Sequence, residues 1–194
     1  VNLHIGQTPD AVYLTYSAPD AAHGTFSVTG PKGTADYAAN PIWSDSAGKY
    51  LYSAKVDGLA PDTNYTYNIA GSYSGMFKTP AESGAFTFAF LTDTQIGFAA
   101  DAKATGAMFS LLNSHDDLAF AYIAGDMTDS SRNERQWEML FENGGVNANA
   151  GQTFFGNHLI AAAQGNHDNS SFSGHITSPC ANSYVGPVVY SFYY

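Results

Sequence analysis

The sequence predicts a multidomain chain, with an all-β sandwich over residues 1–80 followed by an incomplete α/β domain over residues 85–194. Three observations predict this. Short runs of alternating apolar and polar residues, separated by turn residues, fill the first region, as is typical of sandwiches. A polar junction containing proline and glycine follows at Lys78–Gly84. Beyond it, longer apolar runs alternate with helical patterns, which indicates a parallel sheet with crossover helices.

In the first region, strict alternation of apolar and polar side chains predicts four strands, each with one buried face. They are Ala11–Ser17, Thr25–Thr29, Tyr50–Val56 and Asn64–Ala70.

The stretch Val56–Tyr67 contains a Leu, then a Pro-containing turn, then Tyr residues on the next strand. It resembles the E–F corner of a fibronectin type III domain, in which a Leu fills the core and a Tyr anchors the following strand. The resemblance implies a fibronectin type III-like sandwich. A generic hairpin is the alternative interpretation.

In the second region, three continuous apolar runs have the pattern of strands buried on both faces. They are Ala85–Thr92, Leu118–Ala124 and His158–Ala163. Between them, helices are predicted over Asp101–Asn113 and Ser130–Glu142. The first has an apolar stripe at helical spacing, made of Ala104, Ala107, Met108, Leu111 and Leu112. The chain ends inside the β-prone run 188–194, so we expect a C-terminally truncated domain.

Composition restricts the partners. Acidic residues outnumber basic ones by 17 to 7, giving a formal charge of −10. Such a charge disfavours nucleic acid and anionic membranes, and no apolar run reaches the roughly 18 residues of a membrane span. The one cysteine, Cys180, excludes an internal disulfide. We expect an extracellular or cell-surface protein, of an oligomeric state that the sequence does not indicate.

A polar cluster follows each of the three buried strands. The clusters are Leu91–Gln95, Ala124–Asp129 and Gln164–Asp168. Function in open parallel sheets collects beyond the carboxyl ends of the strands, so these loops are expected to share one rim. Their Asp, Gln, Asn and His side chains suit hard ions such as Mn, Fe, Zn or Mg. A pair of such ions can bind a phosphate and lower the pKa of a bound water.

Taken singly, an Asp after a strand is more often a turn residue or a helix cap. The tetrapeptide Gly165–Asp168 is more specific, because a given tetrapeptide arises by chance in a chain of this length roughly once in a thousand. All three clusters occur in order, each after a buried strand, which favours a functional site.

On these motifs, residues 85–194 resemble the first half of a calcineurin-like metallophosphoesterase. The whole chain resembles the N-terminal portion of a purple-acid-phosphatase-like enzyme. The resemblance implies hydrolysis of a small phosphate-ester substrate by a metal-bound hydroxide at a dinuclear site, with Fe, Mn or Zn as the two divalent or trivalent ions.

The resemblance also implies a role for each motif residue. Asp93 would bind the first metal, Asp126 would bridge both metals, and Asn166 would bind the second. His167 would lie beside the phosphate, either protonating the leaving oxygen or stabilising the phosphoryl charge. Asp168 would orient and polarise His167.

Two positions depart from the family pattern. Gln95 stands where many members have a His, so it is either a weaker metal ligand or a neighbour of the ligands. Asp129 stands where true purple acid phosphatases have a Tyr. We therefore expect no purple chromophore, and we expect Asp129 to orient its loop by hydrogen bonding.

The family completes its site with later histidines, one alone and then a Gly-His-x-His pair, which this chain lacks. His175 is the one remaining histidine near the motifs, and a ligand role for it is not favoured. The chain alone should therefore bind metal weakly. The alternative function is a secreted or surface binding or adhesion protein whose phosphoesterase domain is inactive.

Overall fold

The structure is a computed structural model that describes residues 1–45, 47–142, 149–168, 171–177 and 191–194. These residues form strands and helices in the following order: β1 (Asn2–Ile5), β2 (Val12–Ala18), β3 (Thr25–Gly30), β4 (Gly33–Ala38), β5 (Asn40–Ser44), β6 (Lys49–Val56), β7 (Asn64–Ile69), β8 (Tyr73–Lys78), β9 (Thr87–Leu91), α1 (Ala99–Leu112), β10 (Leu118–Ile123), α2 (Glu134–Glu142), α3 (Ala150–Asn157), β11 (Leu159–Ala162) and α4 (Phe172–His175).

Strands β1 to β8 form two antiparallel layers with one core between them. One layer has the order β5-β6-β2-β1 and the other β4-β3-β7-β8. The Tyr16 ring of the first layer stacks on Tyr52, with ring centroids 4.9 Å apart, and meets Phe26 of the second layer edge-on at 6.3 Å. The four strands predicted here are confirmed as β2, β3, β6 and β7. Strands β1, β4, β5 and β8 were not predicted.

The corner between β6 and β7 has the geometry that its sequence suggested. Leu59 is buried in the core, and the hydroxyl of Tyr65 accepts a hydrogen bond from the Ala60 N–H at 2.8 Å. A Tyr hydroxyl bonded to the backbone a few residues upstream is the tyrosine corner of Greek-key sandwiches. The assignment to the fibronectin type III group stays a prediction.

Strands β9, β10 and β11 are parallel, as predicted, and their sheet is continuous with a layer of the sandwich. β1 pairs in parallel with β11, which gives a seven-stranded sheet of order β5-β6-β2-β1-β11-β10-β9. The buried ring of His4 reinforces this junction: Nδ1–H donates to the Ile5 carbonyl at 2.8 Å, and Nε2 accepts from the Ala162 N–H at 3.1 Å. The two regions therefore share a sheet, although the boundary expected near residue 80 stays a prediction.

Helix α1 forms where it was predicted, but it buries a different face. Leu111, part of the predicted stripe, is 62% exposed. Phe109 is fully buried instead, because its ring stacks on Phe154 with centroids 4.5 Å apart and meets Phe155 at 5.2 Å. Both partners lie on α3, a helix that was not predicted. Helix α2 is confirmed, starting four residues later than expected, at Glu134.

Strand β9 corrects a second expectation, burial on both faces. It forms an edge of the seven-stranded sheet in the described part of the chain, and Phe86, Phe88 and Phe90 are 52%, 49% and 63% exposed. Residues 188–190 of the β-prone run 188–194, and Cys180, lie outside the described residues. Of the run's last four residues, Phe192 and Tyr194 pack against the ring of Phe120.

None of the helices given above has the length and hydropathy needed to span a bilayer.

Candidate functional site

The three predicted motif loops meet at the carboxyl ends of β9, β10 and β11. The first loop is joined to the second by backbone hydrogen bonds from the Asp93 N–H to the Gly125 carbonyl at 3.2 Å and from the Gln95 N–H to the Asp126 carbonyl at 2.8 Å. The third loop is joined to the second where the His167 N–H donates to Asp126 Oδ1 at 2.9 Å. The expectation that these loops share one rim is confirmed.

Three residues expected to bind metal have strained backbones. Asp93, Gln95 and Asp126 have φ values of 52°, 37° and 49°, and they are three of the six described non-glycine residues with left-handed φ. This conformation is unfavourable for a residue with a Cβ, and such strain clusters at functional sites. The backbone strain therefore marks the same positions as the sequence motifs.

Two glycines allow the second and third loops to pack closely beside the Asp126 carboxylate. Gly125, with φ at 89°, lies so near the third loop that a Cβ on it would be 2.7 Å from the Gly165 nitrogen. A Cβ on Gly165 would overlap Asp126 Oδ1 and the Asp126 nitrogen. Each glycine is needed for the close approach of the second and third loops.

Asp168 lies among backbone N–H groups of the second and third loops. Its carboxylate is fully buried and accepts backbone hydrogen bonds from Met127 at 3.0 Å, Thr128 at 3.2 Å and Gly165 at 3.2 Å. The role that the resemblance implied for Asp168, orienting and polarising His167, stays a prediction; in the described residues its oxygens accept from these backbone N–H groups and from the Thr128 hydroxyl at 3.4 Å.

Asp129 orients the His167 ring. The Asp129 carbonyl accepts a hydrogen bond from His167 Nδ1 at 2.7 Å, and the Asp129 carboxylate lies 3.8 Å from the same nitrogen. Because a carbonyl can only accept, Nδ1 carries the proton and Nε2 is the nitrogen available to a ligand. The hydrogen bond to the Asp129 carbonyl, together with the negative charges of Asp126, Asp129 and Asp168, raises the pKa of His167 above its ordinary value.

The donors at this rim fit hard or borderline metal ions in chemical type. Asp93 and Asp126 supply carboxylates, Gln95 and Asn166 amide oxygens, and His167 an imidazole. The exposed Asp93 carboxylate is oriented by the Thr92 hydroxyl, and Asp126 has a hydrogen-bond donor on Oδ1 alone in the described part of the chain. Across those residues, however, no three His, Cys, Asp or Glu side chains converge as a metal-ligand group. The donor set thus has the right chemistry and too few charged ligands for two ions.

His175 does not approach the rim. It is buried beside α2, where its ring stacks on Trp137 at 4.5 Å and its Nε2 lies 2.9 Å from Glu134 Oε2, close enough for an ion pair but without hydrogen-bond alignment. Lys49 of β6 binds the other oxygen of Glu134 at 2.7 Å. This network connects α2 and α4 to the sandwich.

Two threonines near the motifs were missed. Thr94 donates its hydroxyl to the Met127 carbonyl at 2.9 Å, and the fully buried Thr128 forms an isolated bridge with Ile96. Both strengthen the pairing of the first and second loops. Nothing in the sequence pattern distinguishes them from surface threonines.

A wide cleft lies away from these loops. A cleft of about 520 Å³ opens at the amino ends of β9, β10 and β11, lined by Glu82, Phe86, Asp117 and His158 among others. It contains none of the motif residues. The chemistry and the strain of the carboxyl ends identify the candidate site better than cavity volume does.

Structural comparison finds a similar fold in a plant phosphatase. A purple acid phosphatase from yellow lupin (Lupinus luteus) seeds matches 86% of this chain with a TM-score of 0.64 at 15% identity. The fold resembles part of that enzyme. The chain spans about a third of its length, 34%.

Other comparisons add little. No protein-family model and no curated protein matches the sequence. A putative alpha amylase from Salmonella typhimurium matches 59% of this chain and 23% of its own at 10% identity, with a TM-score of 0.25, too low to support an argument.

Proposed function

We propose that this protein is a metal-dependent hydrolase of phosphate esters and that the chain supplies the first half of a dinuclear site. One observation carries the proposal: three predicted metal-binding positions lie together at one rim of the sheet, each in a strained left-handed conformation. Strain of this kind persists only where the surrounding structure maintains it. The similarity in fold to a purple acid phosphatase supports the same reaction class.

In this proposal, Asp93, Asp126 and Asn166 hold the metal ions, with Gln95 as a further ligand or a neighbour of the ligands. Bound ions would supply the positive charge that a phosphate ester needs on a chain of formal charge −10, and would activate a water for attack. The Asp126 carboxylate is the central ligand in this proposal: Gly165 packs against it, and the His167 N–H donates to its Oδ1.

His167 holds and transfers a proton in this reaction. With Nδ1–H bound to the Asp129 carbonyl, its Nε2 is the atom that would protonate the leaving oxygen or donate a hydrogen bond to the phosphoryl group. The upward direction of the His167 pKa shift, caused first by the hydrogen bond to the Asp129 carbonyl, suits a general acid. In this proposal the Asp129 carbonyl positions the His167 ring.

The test is hydrolysis of p-nitrophenyl phosphate and bis-p-nitrophenyl phosphate by the protein from its complete natural reading frame, with Mn, Fe or Zn supplied. Asp126→Ala is expected to lower kcat/KM by at least about 100-fold, because bound metal contributes several kcal/mol of transition-state stabilisation. The matched control is Asp62→Ala, which removes another aspartate with left-handed φ, at 48°, from the sandwich. Equal activity of Asp126→Ala and the wild type would contradict the proposal.

A second candidate is a secreted or surface binding protein whose phosphoesterase region is inactive. It is favoured by the lack of three converging His, Cys, Asp or Glu side chains among the described residues. The length of the natural reading frame separates the two candidates. A continuation into a Gly-His-x-His segment favours the enzyme, whereas a frame that ends without one favours the binding protein.

A further inference from the structure

Asp168 is a fully buried carboxylate for which the proposed reaction has no direct use. We propose that Asp168 is a positioning residue that clamps the second and third motif loops around the Asp126 carboxylate, an inference that rests on the proposed function. Its partners are backbone N–H groups of both loops: Met127 and Thr128 in the second, and Gly165 in the third.

Burial of the Asp168 carboxylate has a free-energy cost that its hydrogen bonds must offset. A carboxylate out of contact with water is stable only if it is paired or fully hydrogen-bonded. No Lys, Arg or His forms an ion pair with Asp168 in the described part of the chain, so backbone N–H groups and the Thr128 hydroxyl provide its hydrogen bonds, and His167 adds a longer-range electrostatic interaction. The two loops therefore cannot separate without exposing or orphaning a buried charge.

The clamp holds the peptide bond between Asp126 and Met127. The Met127 N–H follows Asp126 directly, so its hydrogen bonds to Asp168, at 3.0 and 3.1 Å, hold the peptide bond after the strained residue. Without them, Asp126 would be free to leave its left-handed conformation. Asp126 Oδ1 would then move away from the His167 N–H, and the predicted ligand and the predicted acid would lose their relative position.

The chemistry of the clamp requires a carboxylate. Each of its oxygens accepts from backbone donors, Oδ1 from Met127 and Thr128 and Oδ2 from Met127 and Gly165. An Asn of the same shape would place an NH₂ group against N–H donors on one side. Asp168→Asn therefore removes the clamp with almost no change in volume.

The first measurement is amide hydrogen exchange in the full chain without metal. Asp168→Asn is expected to accelerate exchange at Met127, Thr128 and Gly165 by about 10–100-fold, the loss associated with a hydrogen bond to a charged group. Asp101→Asn is the matched control, since Asp101 also accepts two backbone N–H bonds, from Gly97 at 3.1 Å and Phe98 at 2.8 Å. It should leave the three amides within about twofold of the wild type.

The second measurement is Mn²⁺ affinity by calorimetry. Asp168→Asn is expected to weaken it by about 10–100-fold, as for partners that orient metal ligands, whereas Asp101→Asn should not. If Asp168 had a purely structural role, Asp168→Asn would lower Tm as Asp101→Asn does, and neither substitution would change the Mn²⁺ affinity. If the wild type binds no Mn²⁺, the proposed function fails while the exchange result still tests the clamp.

Thr128→Val is the milder variant should Asp168→Asn not fold. It removes one donor to Asp168, the hydroxyl at 3.4 Å, from a fully buried position of nearly the same shape. A several-fold faster exchange at Met127 and Thr128 supports the clamp. Wild-type exchange at these amides in the folded variants would overturn it, whatever happens to Tm.

Discussion

The two ends of the parallel strands β9, β10 and β11 are built differently. At the carboxyl ends, backbone hydrogen bonds and the buried Asp168 carboxylate join three loops. Three residues of these loops have strained φ angles. At the amino ends, a wide cleft of about 520 Å³ has charged groups that pair on its surface, such as Lys78 with Asp62 and His115 with Asp117. The close approach of Gly125 to Gly165 lies at the carboxyl ends.

The difference shows what a predicted metal site demands of its scaffold. A cleft needs only that neighbouring elements leave space between them. Ligands fixed to a fraction of an ångström need neighbours that hold each backbone, and here those neighbours are glycines, N–H donors and one buried acid. Variants at matched positions of the two ends can therefore break or sharpen the comparison.

Adding a methyl group to one glycine at each end of the strands should give the largest difference in activity between two matched variants. Gly165→Ala is expected to abolish hydrolysis and to lower the free energy of unfolding by at least about 3 kcal/mol, because the new Cβ overlaps Asp126. Gly84→Ala, in the amino-end cleft, has no atom within 4 Å of its new Cβ. Its φ of 127° should cost about 1–2 kcal/mol, with activity unchanged. Urea unfolding and p-nitrophenyl phosphate turnover measure both, and equal activity of the two variants would refute the contrast.

Acid should loosen the junction that leads into the carboxyl end. Burial lowers the pKa of His4 from 6.5 to about 4, so the unfolded chain binds the proton more tightly than the folded one. The stabilisation is complete above the unfolded pKa and is lost as pH falls towards the folded value. By about pH 4 we expect a loss of about 3 kcal/mol relative to about pH 7.5.

The measurement is urea unfolding at these two pH values for the wild type and His4→Leu. The variant lacks the titrating ring but keeps all carboxylates, so the difference between the two pH dependences isolates His4. Parallel dependences would show that His4 does not control the acid response of the β1–β11 junction.

The smallest effect is expected in the sandwich corner. Tyr65→Phe removes the hydroxyl that accepts from the Ala60 N–H, which should lower the free energy of unfolding by about 1 kcal/mol. Turnover should stay at the wild-type level because the corner makes no contact with the motif loops. A loss of turnover greater than the loss of folded protein would mean that the two regions are coupled more tightly than their shared sheet suggests.

The sequence predicted the elements whose pattern is set by local rules. Alternation located β2, β3, β6 and β7, and polar clusters after apolar runs located the three motif loops. Short elements without a clear period escaped, such as β1 with four residues. Helix α3 also escaped, because its glycines, Gly151 and Gly156, obscure the helical signal.

The buried face of α1 and the partner of His167 could not have been predicted for another reason. Each depends on a contact between distant segments: Phe109 with Phe154, and His167 with the Asp129 carbonyl. Adjacency in sequence made Asp168 the natural partner for His167. The fold turns that carboxylate inward, where backbone donors from two loops converge on it.

Phe86, just before β9, and Phe88 and Phe90 on β9 form an exposed row that has a consequence for the chain in solution. An edge strand with an uncharged aromatic face is a template for pairing with other chains, and charge repulsion opposes such association. The formal charge of −10 supplies that repulsion. At 0.1 M salt, the repulsion between charges more than about 10 Å apart is largely screened. The colloidal stability of this chain should therefore fall as ionic strength rises, and low-salt buffer is the medium in which it stays dispersed.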